Sequence, residues 1–333
     1  MLSVNVIGKS NGVGLTRDLT LAAEALRAAG CDVTVTKIDR AGAKRRRSKV
    51  RQWTARWALY RSEQRTRPFD VNVMLEHLWP EYLALARHNV ALPNPEWFDR
   101  HDLRWLPRID RVWAKTRNTQ TIYERLGCKV ALTGFDSEDR SLAGVTKQKT
   151  FFHLAGRSTM KGTGKLLEVW ARNAQWPVLT VVQHEPPAGQ PIGANIRYHC
   201  GYLDEIELKR LQNESLFHLC LSQTEGWGHY IVEAMSAGAV VLTTNAPPMN
   251  ELVEPSRGVW IDSRPSGRQK LAQTFSFDEP SLAGAIERLL VASEGELRSK
   301  SANARQWFEA NKQGFSERLA AALRTLDQST SRE

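Results

Sequence analysis

The chain reads as an α/β protein of two domains, each built on a parallel sheet, and three observations carry that expectation. Apolar runs of strand length alternate with amphipathic runs of helix length along most of the sequence. At 333 residues it is longer than one core usually fills, which favours two domains with a ligand cleft between them. A polar stretch at 136–148, flanked and interrupted by Gly134 and Gly144, separates two similar halves. With 41% hydrophobic and 25% charged residues, the composition excludes disordered and collagen-like classes.

Taken in order, residues 2–7 form an apolar strand stopped by Gly8, and 16–29 a helix closed by Gly30 at the usual C-terminal glycine position. Further strands are expected at 33–38, 71–75, 111–114 and 130–132. In the second half they fall at 150–154, 178–182, 196–200, 216–221, 240–243 and 259–261. Helical stretches at 163–172, 204–214, 230–237 and 281–291 separate these, and the pattern stays helical after Gly295, through Trp307, Phe308 and residues 315–326. The domains are therefore placed at 1–145 and 146–310, with a last helical segment at 311–333. In open parallel sheets ligands bind beyond the carboxyl ends of strands, so the loops after these runs are where chemistry is expected.

Charge is unevenly spread. The formal net charge is +10, and residues 40–67 alone, with eleven basic residues and only Glu63 acidic, account for all of it. Widening that window to Asp39 and Asp70 lowers its net charge to +8. Trp53, Trp57 and Tyr60 fall on one side of this segment if it is helical. No apolar run approaches the ~18 residues of a membrane span, and the N-terminus lacks a secretory pattern. Four cysteines (Cys31, Cys128, Cys200, Cys220) lie far apart, without the spacing of a zinc knuckle or a disulfide scaffold. A cytoplasmic protein is expected.

Three loops could carry chemistry. Gly8-Lys9-Ser10-Asn11-Gly12-Val13-Gly14 joins the first strand to its helix, where glycines allow close backbone approach and free N–H groups favour an anion. Its spacing is neither G-x-G-x-x-G nor the P-loop, and a ligand-free glycine turn fits it equally. Ala155-Gly156-Arg157-Ser158-Thr159-Met160-Lys161-Gly162 places two cations and two glycines at a strand-to-helix turn, which suits a diphosphate; solvated surface cations are the bland alternative. The third run spans residues 222–238 and has the order strand, Glu225, Gly226-Trp227-Gly228, His229-Tyr230, Glu233, Gly238, strand. A carboxylate for sugar hydroxyls beside glycine N–H groups for phosphate is what a sugar nucleotide requires.

This third run resembles the E-x7-E signature of retaining GT-B glycosyltransferases, especially those of family 4. Gly156-Arg157 through Lys161-Gly162 is similar to the family's G-R-x-x-x-x-K-G phosphate site, one residue shorter between the cations. Residues 198–206 resemble the strand–Gly–helix step before the signature, Gly12-Val13-Gly14 the N-terminal glycine loop, and residues 307–326 the helix that crosses back to the first domain. The resemblance implies two Rossmann-like, doubly wound domains facing across a donor cleft. It implies that Arg157 and Lys161 hold the leaving diphosphate, Glu233 the ribose hydroxyls and Glu225 the donor sugar. The Gly12–Gly14 loop would close over the β-phosphate, and His77 would stand near the transferred sugar, although a lone histidine after a strand is as often structural. Gly226, Gly228, His229 and Asn245, in the turn after the next strand, complete the implied donor site. A UDP-, GDP-, ADP- or dTDP-sugar is the implied substrate, with no metal and no separate cofactor; no D-x-D motif occurs.

Two departures stand out. His229-Tyr230 replaces the small apolar residue and proline that commonly follow the Gly-x-Gly, and residues 181–185 lack a glycine pair often found there. The acceptor expected is a glycan or lipid-linked saccharide of a cell-surface pathway, met at the inner face of a membrane through the basic segment 40–67. Nucleic acid as acceptor, or a non-catalytic shell that binds nucleic acid, is the alternative.

Overall fold

The computed structural model describes residues 1–10, 14–39, 48, 50, 53–55, 57, 67–185 and 193–327. Most of the basic segment 40–67, including Tyr60, lies outside the described residues, as does Gly12. Trp53 and Trp57 are described and are 67% and 50% exposed. The chain divides into two compact units. The first takes in Met1–Asp136, Gln269–Ala272 and the residues from Asn311 on; the second takes in Ser137–Arg268 and Gln273–Ala310.

The first unit runs β1 (Ser3–Lys9), α1 (Gly14–Ala28), β2 (Asp32–Ile38), β3 (Phe69–Glu76), a 3-10 turn (Pro80–Leu85), β4 (Ala86–Pro93), α2 (Arg100–Trp105), β5 (Arg111–Ala114), α3 (Arg117–Arg125) and β6 (Val130–Leu132). Its six strands are parallel, in the order β2-β1-β3-β4-β5-β6. A buried polar row fixes the register: Asn5, Asn72 and Asn89 are direct neighbours on β1, β3 and β4. The Asn72 amide donates to Asn89 Oδ1 at 2.8 Å, Asn5 donates to Asn72 at 3.4 Å, and Thr36 donates to Asn5 at 2.7 Å. A one-residue slip would orphan all of these buried groups.

The second unit runs β7 (Gln148–Gly156), α4 (Thr163–Arg172), β8 (Leu179–Gln183), β9 (Ile196–Cys200), α5 (Glu205–Glu214), β10 (Ser215–Cys220), α6 (His229–Ser236), β11 (Val240–Thr244), α7 (Met249–Leu252), β12 (Gly258–Ile261), the hairpin β13 (Ser263–Gln269) and β14 (Ala272–Phe277), α8 (Glu279–Val291) and α9 (Glu294–Asp327). Its main sheet is again parallel, ordered β12-β11-β10-β7-β8-β9. Aromatic rings fill the core: Trp170 meets Phe151 edge-on at 5.0 Å and Trp176 at 4.8 Å. Past Ala310, α9 packs in the first unit, with Phe315 against Phe135 at 5.3 Å and Arg318 Nε donating to the Thr133 carbonyl at 2.7 Å.

Expected strands and helices coincide with observed ones apart from a few residues at the ends. The sequence pattern passed over β4, α2, α3, α7 and the β13–β14 hairpin. β4 carries polar residues at Arg87, His88 and Asn89 and ends in Pro93, and β13, all seven of whose residues are polar, glycine or proline, carries no apolar alternation. The polar stretch after residue 136 is not a loose connection. Leu142 N–H donates to Asn213 Oδ1 at 3.1 Å, the buried Arg140 guanidinium bonds Gln212 and Glu205, and Arg305 grips Asp139 through two bonds of 2.7 and 2.8 Å. These contacts anchor residues 137–147 to the second unit, which takes in the chain from Ser137.

Two features of the second unit yield measurable outcomes. Gly162 has φ +67°, and a Cβ there would lie 2.6 Å from the Leu221 carbonyl oxygen. Gly162→Ala is expected to cost about 2 kcal/mol or more, seen as a lower urea midpoint. Burial holds His153 neutral down to about pH 4 and His218 to about pH 3. Unfolded imidazoles take up protons near pH 6.5, so the unfolded chain binds more protons below that value. Stability is thus expected to fall as pH drops from 6.5 toward 4, by on the order of 1 kcal/mol per pH unit for each histidine, in urea titrations at stepped pH.

Candidate functional site

In the second unit the strand order reverses between β7 and β10, whose connections leave on opposite faces of the sheet. A crevice opens beyond the carboxyl ends of strands at such a point. Two loops flank it: residues 157–162 after β7, and residues 221–228 after β10. They touch directly, Gln223 N–H donating to the Met160 carbonyl at 2.8 Å.

Both loops end in a glycine that opens a helix. Gly162 precedes α4 and Gly228 precedes α6, each in the left-handed region (φ +67° and +91°), and neither helix has a side-chain cap. By contrast, Asp99, Thr116, Asp204 and Asp278 cap α2, α3, α5 and α8 with their own oxygens. α4 and α6 have no side-chain acceptor of the kind these four helices have, and a helix start of that kind suits a ligand's anionic group. Glycine is required at Gly228 by its φ and at Gly162 by both φ and space.

Charged side chains converge beside these helix starts. The Lys161 ammonium donates to the Leu154 carbonyl at 2.8 Å and lies 4.0 Å over the Tyr230 ring. Burial lowers its pKa, opposed by the nearby Glu225 and Glu233. Glu233 is buried, at 4% exposure, on α6. Burial raises the Glu225 pKa, opposed by Lys161, by a 2.6 Å hydrogen bond from Ser222 Oγ and by His229. Ser222 Oγ is itself 2.6 Å from the Tyr230 hydroxyl. His229 Nδ1 lies 2.9 Å from Ser137 Oγ, which also accepts from Trp227 Nε1 at 3.0 Å. The structure thus brings Lys161, Glu225, Gly226, Gly228, His229 and Glu233 to one crevice. Arg157 is exposed at the rim of the same turn. Asn245 follows β11, its Oδ1 accepting from Asn250 at 3.1 Å and its carbonyl accepting from Ser263 Oγ at 3.1 Å.

The first unit has its own reversal, between β1 and β3. Gly14 opens α1 after β1, and His77 follows β3. Glu76 sits at φ +63°, and the His77 N–H closes a tight turn onto the Leu75 carbonyl at 2.7 Å. This conformation costs on the order of 1–3 kcal/mol for a side chain other than glycine. The fully buried Asp102 holds the loop: one oxygen accepts from Leu78 N–H at 2.9 Å, the other meets His77 Nδ1 at 2.9 Å and Asp99 N–H at 3.0 Å. The Nδ1 proton of His77 therefore faces Asp102, and Nε2 is left to other partners, with Glu76 Oε2 at 3.7 Å. Burial raises the Glu76 pKa against the pull of His77, Lys115 and Lys9.

Sequence reasoning missed Asp102, Ser222, Tyr230 and Ser137. For Asp102 a signal existed in the Asp99-x-x-Asp102 spacing of a capping box. Ser137 lies about ninety residues from its partners, a proximity with no local signal.

Among the described residues no group of histidine, cysteine or acidic side chains could hold a metal ion, and no helix is long and apolar enough to cross a membrane. Residues 191–275 match the family described as "Glycosyl transferases group 1". Over 142 residues the chain is 33% identical to GDP-mannose:cellobiosyl-diphosphopolyprenol alpha-mannosyltransferase of Komagataeibacter xylinus, covering 39% of this chain and 36% of that protein. The match thus spans about a third of that relative's length. Among solved structures, a glycosyltransferase from Rickettsia africae superposes with a TM-score of 0.72 at 14% identity, over 100% of this chain and 99% of that one. Sucrose-phosphate synthase from Thermosynechococcus elongatus gives 0.69 at 15% identity, over 99% and 100% of the two chains. HepE of Anabaena, solved with UDP and glucose, gives 0.68 at 15% identity, over 98% and 100%. The chain has the GT-B fold, and the match to the glycosyl transferases group 1 is confined to its residues 191–275.

Proposed function

We propose that this protein is a glycosyltransferase that moves a sugar from a nucleotide-sugar donor to an acceptor hydroxyl, retaining the anomeric configuration and using no metal ion. The observation that carries the reading is the pair of uncapped, glycine-opened helices, α4 and α6, that start beside Lys161 and two acidic side chains at one crevice. Phosphate oxygens suit the N–H groups of a helix start and the ammonium, while carboxylates suit hydroxyls.

Each residue then has a task. Lys161, with Arg157 from the rim, neutralises the diphosphate as it departs, the term expected to lower the barrier most. Lys161 is held by the Leu154 carbonyl, so it meets the developing charge with little rearrangement. Glu233 accepts from the ribose hydroxyls and Glu225 from the donor sugar. In a retaining reaction the acceptor attacks the face the phosphate leaves, and the departing phosphate oxygen takes the acceptor proton. Asn245, His229 and the Gly226–Gly228 loop complete the donor pocket, while His77 and Gly14 belong to the acceptor-side domain.

The acceptor in this reading is a glycan or lipid-linked saccharide at the inner face of a membrane, approached through residues 40–67. The exposed Trp53 and Trp57 support it, since indoles favour the membrane–water boundary and cations favour anionic head groups. The alpha-mannosyltransferase relative, whose name carries GDP-mannose and a polyprenol diphosphate, supports the same class.

A thermal-shift screen with UDP-, GDP-, ADP- and dTDP-sugars is the direct test. One donor is expected to raise the melting temperature and to be slowly hydrolysed without acceptor; no shift and no hydrolysis with any would overturn the proposal. Glu233→Ala is expected to fold and to lose donor affinity by about tenfold or more, as measured by calorimetry. Neutralising Arg45, Arg46 and Arg47 is expected to reduce cosedimentation with anionic vesicles; unchanged binding, or loss of nucleic-acid binding alone, would reject the membrane role.

A further inference from the structure

We propose that Tyr230 is a positioning residue that holds both charged groups at the donor crevice, the Lys161 ammonium through its ring and the Glu225 carboxylate through its hydroxyl. The inference rests on the donor-site reading above and adds to it a residue that stands where proline is common in this family. It begins from proton bookkeeping. Ser222 has one hydroxyl proton, and it is donated to Glu225 Oε1 at 2.6 Å. The 2.6 Å contact between Ser222 Oγ and the Tyr230 hydroxyl must then use the tyrosine's proton. The chain runs in one direction, from tyrosine to serine to carboxylate. Burial keeps the phenol protonated, its pKa raised well above 10, so it stays a donor.

The other face of the same side chain meets Lys161, whose ammonium lies 4.0 Å from the ring centre while donating to the Leu154 carbonyl. A cation withdrawn from water gains more from an aromatic face than an exposed one does. Tyr230 is itself immobile: it is 6% exposed and sits in the first turn of α6. The Ser222 end is anchored as well, since its carbonyl accepts from Thr244 Oγ1 at 2.8 Å. A proline at this position would offer neither ring face nor hydroxyl. One side chain therefore sets the separation of the cation that meets phosphate and the carboxylate that meets sugar.

The experiment uses the full chain with Tyr230→Phe, Tyr230→Leu, Ser222→Ala and the Tyr230→Phe/Ser222→Ala double variant. In 13C-lysine NMR, assigned by Lys161→Arg, the Lys161 ε-methylene of the wild type is expected to show an upfield ring-current shift. Tyr230→Phe keeps that shift and the affinity for the bare nucleoside diphosphate, yet lowers kcat for the nucleotide sugar by about tenfold. Ser222→Ala matches it, and the double variant is no worse than either single one, because all three break the same relay. Tyr230→Leu loses the ring-current shift and weakens the nucleoside diphosphate by about tenfold. The split between kcat and affinity separates positioning from a general loss of structure. No ring-current shift in the wild type, or wild-type kinetics in both tyrosine variants, would overturn the proposal. Should no nucleotide sugar bind the wild type, the donor reading fails, while the lysine spectrum still decides whether Tyr230 holds Lys161.

Discussion

A parallel sheet whose strand order reverses must leave a gap at its carboxyl edge, because the two central connections depart to opposite faces. In the second unit that gap falls between β7 and β10. The loops after these strands have nothing of the sheet to pack on, so they fold against each other through Gln223 and Met160. Everything in the candidate site follows from this placement. The two helix starts point into one space, and Gly162 is forced by the nearness of the Leu221 carbonyl.

Charge is arranged there at a cost to stability. Lys161, Glu225 and Glu233 are drawn from water, and burial opposes the charged forms of Lys161 and Glu225. Mutual attraction, the Ser222 hydroxyl and the Tyr230 ring recover part of that cost. A core built for stability alone would fill this space with apolar side chains. In the proposed donor-site reading, ionic groups are retained beside the uncapped helix ends for a polar ligand. The first unit shows a comparable expense at Glu76, whose strained backbone turns His77 onto Asp102.

The alternation of apolar runs with amphipathic ones was legible as parallel α/β units, and both sheets are parallel throughout. The glycines, cations and carboxylates around 156–162 and 222–238 were legible as two loops at helix starts, because glycine spacing and charged residues near a helix start are local features. Ser137 was not, since its partners His229 and Trp227 lie about ninety residues further along the chain. β13 was invisible because a strand without apolar residues leaves no hydrophobic period to read.

By itself, then, the sequence determined the class of fold, the number of units and the residue types that the two loops carry, since periodicity and turn glycines act within a few residues. Tertiary structure alone decided which strands stand at each reversal, that residues 137–147 are pinned to the second unit, and that Lys161 lies over Tyr230. The basic run is one continuous segment, whereas the crevice is assembled from loops some sixty residues apart, whose meeting is a property of strand order and not of any local pattern.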